Sequence, residues 1–218
     1  MNGDNYIITI GRQLGAGGAE LGRILARRFG FNYIDREILV KASQRMEMTT
    51  QSMESHDEKH SIWCAWEGVN VCEPYHMPPT WYQPTETRLF EAQTVLLKQA
   101  AQESSCVIVG RCASYIFEHH PKMISIFLHA DEETRIKRVE ASGKTELFGE
   151  DLRKAIAKGD KERARYFKRY TGKDWFDTRA YDLCLDTGKI DIESASEIAA
   201  EYACKRFPEL RRHYYKKD

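Results

Sequence analysis

No two cysteines in this chain stand at CxxC spacing; the six, at 64, 72, 106, 112, 184 and 204, are scattered over 218 residues. The sequence therefore offers no disulfide framework or paired metal clip on which folding would depend. Cys106 and Cys184 lie in or beside apolar runs, so the thiols read as reduced and mostly buried. Charge of either sign is not in excess, with 33 Lys plus Arg against 33 Asp plus Glu. No overall field favours nucleic acid or an anionic membrane, and any anion recognition has to be local. There is no internal repeat, no low-complexity tract and no apolar run of membrane-spanning length. The short polar stretch Met1 to Asn5 leads straight into an apolar strand, so no signal peptide is readable and the cytoplasm is the expected location.

What is present suits a globular enzyme: 42% hydrophobic and 30% charged residues, in a length that allows one core domain with smaller inserts. Tyr6 to Ile10 (YIITI) is a β-branched run ending in glycine, and Leu21, Ile24, Leu25 and Phe29 fall at helical spacing after it. Phe31 to Ile34 predicts a second strand, with Gly30 as the helix stop, and Arg36 to Met46 predicts a second helix. A helix over Glu86 to Glu103, strands at Cys106 to Val109, Ser125 to Leu128 and Tyr181 to Asp186, and a closing helix from Glu193 to Arg206 complete the series. Asp131 is placed to cap the helix that follows the fourth strand. Strands alternating with helices predict a mainly parallel sheet covered on both faces.

The segment from about Thr49 to Thr87 differs in character, being rich in Trp and Pro, and reads as an insert. His56, His60 and Cys64 fall at i, i+4 and i+8, so with Cys72 and His76 they form an alternative zinc-ligand set. Trp63, Trp66, Tyr75, Trp81 and Tyr82 could stack a base there or build a small core of their own. Between Gly143 and Lys173 basic residues crowd together, which as a pattern alone reads as a solvated helix face.

The chemistry is concentrated in Gly11 to Gly22 (GRQLGAGGAELG). A glycine-rich turn directly after the first strand and before the first helix lets backbone N–H groups approach an anion at a helix N-terminus, where the dipole adds to the attraction. Phosphate is the expected guest; a tight turn without a ligand is the plainer alternative.

This turn, with Tyr33 to Ile38 (YIDREI), Val107 to Ala113 (VIVGRCA), Thr134 to Val139 (TRIKRV) and Asp160 to Tyr166 (DKERARY), resembles the cytidylate kinase-like family over nearly the whole chain. The resemblance implies an α/β P-loop kinase-type three-layer sandwich of about five parallel strands. Its core would span 1–44, 89–142 and 179–218, with a substrate-binding insert at 45–88 and a lid at 143–178. It further implies phosphoryl transfer from ATP to a CMP- or dCMP-like acceptor with Mg²⁺. Gln13, Gly15, Ala16, Gly17, Gly18, Ala19 and Glu20 would hold the ATP phosphates, and Arg12, Arg111 and Arg163 would be catalytic. Asp35, Arg36, Lys41, Arg111 and Asp160 would bind the acceptor, and Lys161, Arg163 and Arg165 would belong to the lid. Asp35 is equally placed to cap the next helix.

One departure from the wider P-loop pattern matters. A Walker A turn continues with Gly-Lys-Ser/Thr, whereas this chain has Gly17, Gly18, Ala19 and Glu20. Neither the phosphate-neutralising lysine nor the metal-ligating hydroxyl is present, so the Mg²⁺ ligands are not readable. Members of the resembled family share the lysine-free turn and usually carry Arg where this chain has Ala19. Arg12 could supply the missing charge by folding back, its planar fork suiting phosphate oxygens. Two alternatives stay open: a kinase for another small acceptor, and a nucleotide-binding protein with little turnover.

Overall fold

The computed structural model describes residues 5–35, 86–143 and 145–214. Five strands form one parallel sheet in the order β2-β3-β1-β4-β5. They are β1 (Ile7–Arg12), β2 (Asn32–Ile34), β3 (Cys106–Val109), β4 (Met123–His129) and β5 (Leu183–Asp186). The helices are α1 (Gly18–Phe29), α2 (Glu86–Glu103), α3 (Ala113–Ile116), α4 (Glu132–Ala141), α5 (Gly149–Thr171), α6 (Ile192–Arg206) and α7 (Arg211–Tyr214).

β1 is the central strand because its apolar residues are wanted on both faces. Ile8 and Ile10 pack with Leu21, Leu25 and Phe29 of α1 and with Ala195, Ala199 and Ala203 of α6. Ile7, on the opposite face, packs with Leu97 of α2, Ala113 of α3 and Phe117. Two helical layers thus sandwich the sheet, as a continuous β-branched strand flanked by amphipathic helices requires. In register, Ile8 stands between Val107 of β3 and Ile124 of β4. After β1 the chain turns toward the β2 edge, whereas after β3 it crosses to the β4 side. The crevice between the carboxyl ends of β1 and β3 is therefore the switch point at which open α/β sheets take ligands.

Local signals set the helix ends. Gly30 ends α1 in the left-handed region at φ 70°, its N–H donating to the Ala26 carbonyl. Asp131 caps α4 by accepting from the Thr134 N–H at 2.9 Å, and Asp191 caps α6 by accepting from the Ser194 N–H at 2.7 Å. β5 starts at Leu183 rather than Tyr181, because Tyr181 closes a short 3-10 turn and its hydroxyl donates to the Trp175 carbonyl. The basic segment forms α5, whose buried stripe runs Leu152, Ala155, Ile156, Asp160, Arg163, Phe167. Asp160 and Arg163 lie on that stripe and are buried, while Lys161 and Arg165 are exposed.

The expected helix over 36–46 and the insert lie outside the described residues, apart from the residues from Glu86 onward that begin α2. No described helix is long and apolar enough to cross a membrane.

Candidate active site

The turn from β1 to α1 is gripped from outside. Gln13 N–H donates to the Leu128 carbonyl at 3.0 Å, and Leu14 N–H donates to Asp160 Oδ1 at 2.8 Å. The Thr187 hydroxyl lies 3.1 Å from the Ala16 carbonyl, and Arg138 bonds Thr187 in turn. Gly15 and Gly17 take φ values of 79° and 81°, which only residues without a Cβ adopt at little cost. Among the described residues no hydrogen bond engages the amides of Gly15, Gly17, Gly18, Ala19 or Glu20. These N–H groups open α1, where four amides lack intrahelical partners and the dipole is positive.

Arg12, the last residue of β1, folds back across this opening. A Cβ on Gly18 would stand 2.6 Å from Arg12 Cγ, and a Cβ on Gly110 would overlap Arg12 Nη1. The side chain therefore runs over position 18, where a Walker A turn carries its lysine, and delivers its guanidinium to the end of β3. Gly110, Arg111 and Cys112 follow one another in the left-handed region at φ 80°, 58° and 53°. For Arg111 and Cys112 that conformation is strained, and such strain concentrates at functional sites.

Arg12 and Arg111 line one recess with Arg163 of α5. Tyr166, Phe167, Trp175 and Tyr181 form its aromatic side, and none of the described residues that line it is a carboxylate. Phe127 braces that side, 5.3 Å from Trp175 and 4.9 Å from Tyr181 between ring centroids. Three guanidiniums at one recess are chemistry that suits an anion, and Arg163 also stands 3.9 Å from Asp160 Oδ1.

The sequence-derived candidates do not all come together. Arg12, Arg111 and Arg163 line the recess, and Arg12 links it to the turn by passing over Gly18. Asp35, at the end of β2, is buried and pairs with Arg23 at 3.6 Å, outside the residues that line the recess. Arg36, Lys41 and the His, Cys and aromatic residues of the insert lie outside the described residues. Asp160 turns its carboxylate to the turn rather than into the recess: Oδ1 accepts from Leu14, and Oδ2 accepts from Arg135 Nη1 at 2.6 Å. Burial pushes the Asp160 carboxyl up, and Arg163, the Leu14 amide and Arg135 oppose that shift. Sequence reasoning gave no role to Arg135, although it sits in the TRIKRV motif, nor to Trp175 and Tyr181.

A profile of the cytidylate kinase-like family matches residues 7–189. The chain belongs to the cytidylate kinase-like family. Its relatives include a cytidylate kinase of Pyrobaculum neutrophilum, 29% identical over 56% of this chain and 65% of that one. Another, from Methanosarcina acetivorans, is 32% identical over 40% of this chain and 48% of that one. These alignments span about half to two thirds of the relatives' length. The cytidylate kinase of Pyrobaculum aerophilum aligns over 91% of this chain and 92% of its own, at 25% identity.

Among solved structures, an uncharacterized protein from Eubacterium ventriosum superposes with a TM-score of 0.67 at 25% identity, covering 91% of this chain and 98% of that one. Shikimate kinase from Bacteroides thetaiotaomicron superposes at 0.53 and 14% identity, covering 90% and 97%. The latter likeness concerns the fold, which is that of the P-loop kinases. Within this cytidylate kinase-like member, Arg12 crosses the position where other P-loop proteins carry lysine.

Proposed function

We propose that the protein is a nucleoside monophosphate kinase that moves the γ-phosphoryl group of ATP to a CMP- or dCMP-like acceptor. In this reaction an acceptor phosphate oxygen attacks the γ-phosphorus, the bond from that phosphorus to the β–γ bridging oxygen breaks, and ADP leaves. The observation that carries the reading is the meeting of Arg12, Arg111 and Arg163 in one recess, with the Arg12 stem crossing the turn at Gly18. The amides from Gly15 to Glu20 bind the donor phosphates, with Gln13 at the entry to the turn. Arg12 and Arg163 reach the transferring group, and Arg111 holds the acceptor phosphate. Preorganised cations of this kind are most of what phosphoryl transfer asks of a protein.

Magnesium would arrive with ATP, neutralising charge on the β- and γ-oxygens. It is usually held by phosphates, water and one or two carboxylates. Glu20, in the first turn of α1, is the turn's own carboxylate and fits that modest demand. Arg36 and Lys41 keep their place as acceptor contacts, and the exposed Lys161 and Arg165 as lid cations. Asp35 lies at the end of β2, paired with Arg23. Asp160 is better read as serving the turn than the acceptor.

A second reading, nucleotide binding with little turnover, is favoured by one observation: the stem of Arg12 fills the room over Gly18, the position where a Walker A turn carries its lysine. ADP release from ATP·Mg²⁺ in the presence of CMP, dCMP, UMP and small alcohols separates the readings. Turnover on CMP or dCMP well above the others supports the kinase assignment. ATP binding without acceptor-dependent ADP release sinks it.

A further inference from the structure

Both polar groups of the Leu14 backbone end on side chains. Its N–H donates to Asp160 Oδ1 at 2.8 Å, and its carbonyl accepts from Arg135 Nη1 at 3.3 Å. That same Nη1 donates to Asp160 Oδ2 at 2.6 Å, while Arg135 Nε donates to the Ala130 carbonyl at 3.1 Å. One turn further along α5, Arg163 Nη1 donates to the Arg12 carbonyl at 3.0 Å. Asp160, Arg135 and Arg163 are 7%, 8% and 6% exposed. A salt bridge from two helices, α4 and α5, thus closes a ring around one residue of the turn, Leu14, and holds the peptides on both sides of it.

Burying a carboxylate and a guanidinium costs desolvation that an apolar pair of similar size would avoid, so such a pair is weak evidence for stability as such. What it supplies here is direction. The two bonds fix the peptide planes on either side of Leu14, and Gly15, the next residue, has no Cβ to limit its own dihedrals. Released from Asp160 and Arg135, the chain at Gly15 could rotate, and the amides that follow would no longer point together.

We infer that Asp160 and Arg135 are positioning residues that hold the glycine-rich turn in its anion-receiving shape and tie that shape to helix α5. A shift of α5 relative to the sheet then alters the turn, so the lid helix and the phosphate cradle move as one unit. The consequence for ATP rests on the kinase reading above; the geometric coupling does not.

Two measurements on Asp160→Asn and Arg135→Lys separate the two claims, with Arg153→Ala as control. Arg153 joins the same two helices at the surface through Glu132 and Glu133. In ligand-free protein, amide hydrogen exchange over residues 12–20 is expected to quicken by about tenfold or more in both variants, with β4 and α6 unchanged. In turnover, the ATP KM is expected to rise about tenfold while the acceptor KM stays within about twofold. Asp160→Asn/Arg135→Met should be no worse in ATP KM than Asp160→Asn or Arg135→Met alone, as members of one device behave. Should Asp160→Asn fail to fold, Arg135→Lys, which keeps the charge and loses the fork, carries the same two readouts. Unchanged exchange at 12–20 in a folded variant overturns the inference, as does a uniform rise in exchange across the sheet. If the parent itself shows no turnover, the kinase reading falls, and the exchange experiment still decides the coupling.

Discussion

The guanidinium of Arg12 occupies the space that a side chain on Gly110 would need. Gly110 also sits at φ 80°, so the backbone disfavours other residues at position 110, and a side chain there would make the end of Arg12 give way. Gly110→Ala should therefore lose about 1 kcal/mol or more of stability and push Arg12 off its path. Urea denaturation with an ADP-release assay would register both effects. Parent stability with parent turnover would mean that Arg12 does not depend on this space.

The stem of the same arginine covers Gly18, with Cγ 2.6 Å from the place of a Cβ. Restoring the Walker A lysine by Gly18→Lys should consequently not raise kcat, because the new side chain displaces the cation already there. A several-fold rise in kcat would argue instead for a turn that has decayed from a lysine-bearing one.

Arg163 both lines the recess and bonds the Arg12 carbonyl. Its replacement by alanine should reduce kcat on the order of 100-fold, as expected for a cation that stabilises charge in the transition state. ATP affinity, measured calorimetrically, should change by no more than about threefold. Equal turnover in variant and parent removes Arg163 from the mechanism.

Asp160→Ala leaves the guanidinium of Arg135 buried opposite an empty site, a change that typically costs about 3–5 kcal/mol. A melting temperature within a degree or so of the parent would contradict the buried pairing.

Acid sensitivity follows from the helix caps. The backbone N–H of Thr134 holds the Asp131 carboxyl below its usual range, and the Ser194 N–H does the same for Asp191. A carboxyl whose folded value is depressed stabilises the fold above its unfolded value and loses that contribution as pH falls. The loss should therefore begin below about pH 4. Asp131→Asn, which still accepts the capping bond, should show a shallower fall of melting temperature with acid than the parent. Superimposable curves would exclude this cap as a contributor.

The sheet and its order of elements were legible because the three inner strands are apolar runs rich in β-branched residues. Ile8 to Ile10, Cys106 to Val109 and Ile124 to Leu128 carry that signal in themselves. The turn was legible through its glycines, and the return of Arg12 through its position at the head of a lysine-free turn. What sequence hid were charges on an apolar stripe. Asp160 and Arg163 count as polar in any periodicity, so the basic segment of α5 looks solvated although both are buried. Arg135 resembles a surface arginine of α4 until Leu14, 121 residues earlier, is placed beside it. Trp175 and Tyr181 join the recess only through tertiary packing against Phe127, which no local pattern announces. Arg36 and Lys41 were legible as candidates and lie outside the described residues.

The most direct test of an anion-receiving turn is an amide NMR titration of the parent protein with ATP·Mg²⁺. The largest shifts are expected at Gly15, Gly17, Gly18, Ala19 and Glu20, with accompanying changes at the side-chain Nε–H of Arg12. Saturable binding that leaves those five amides unmoved, or no binding at all, would contradict the account.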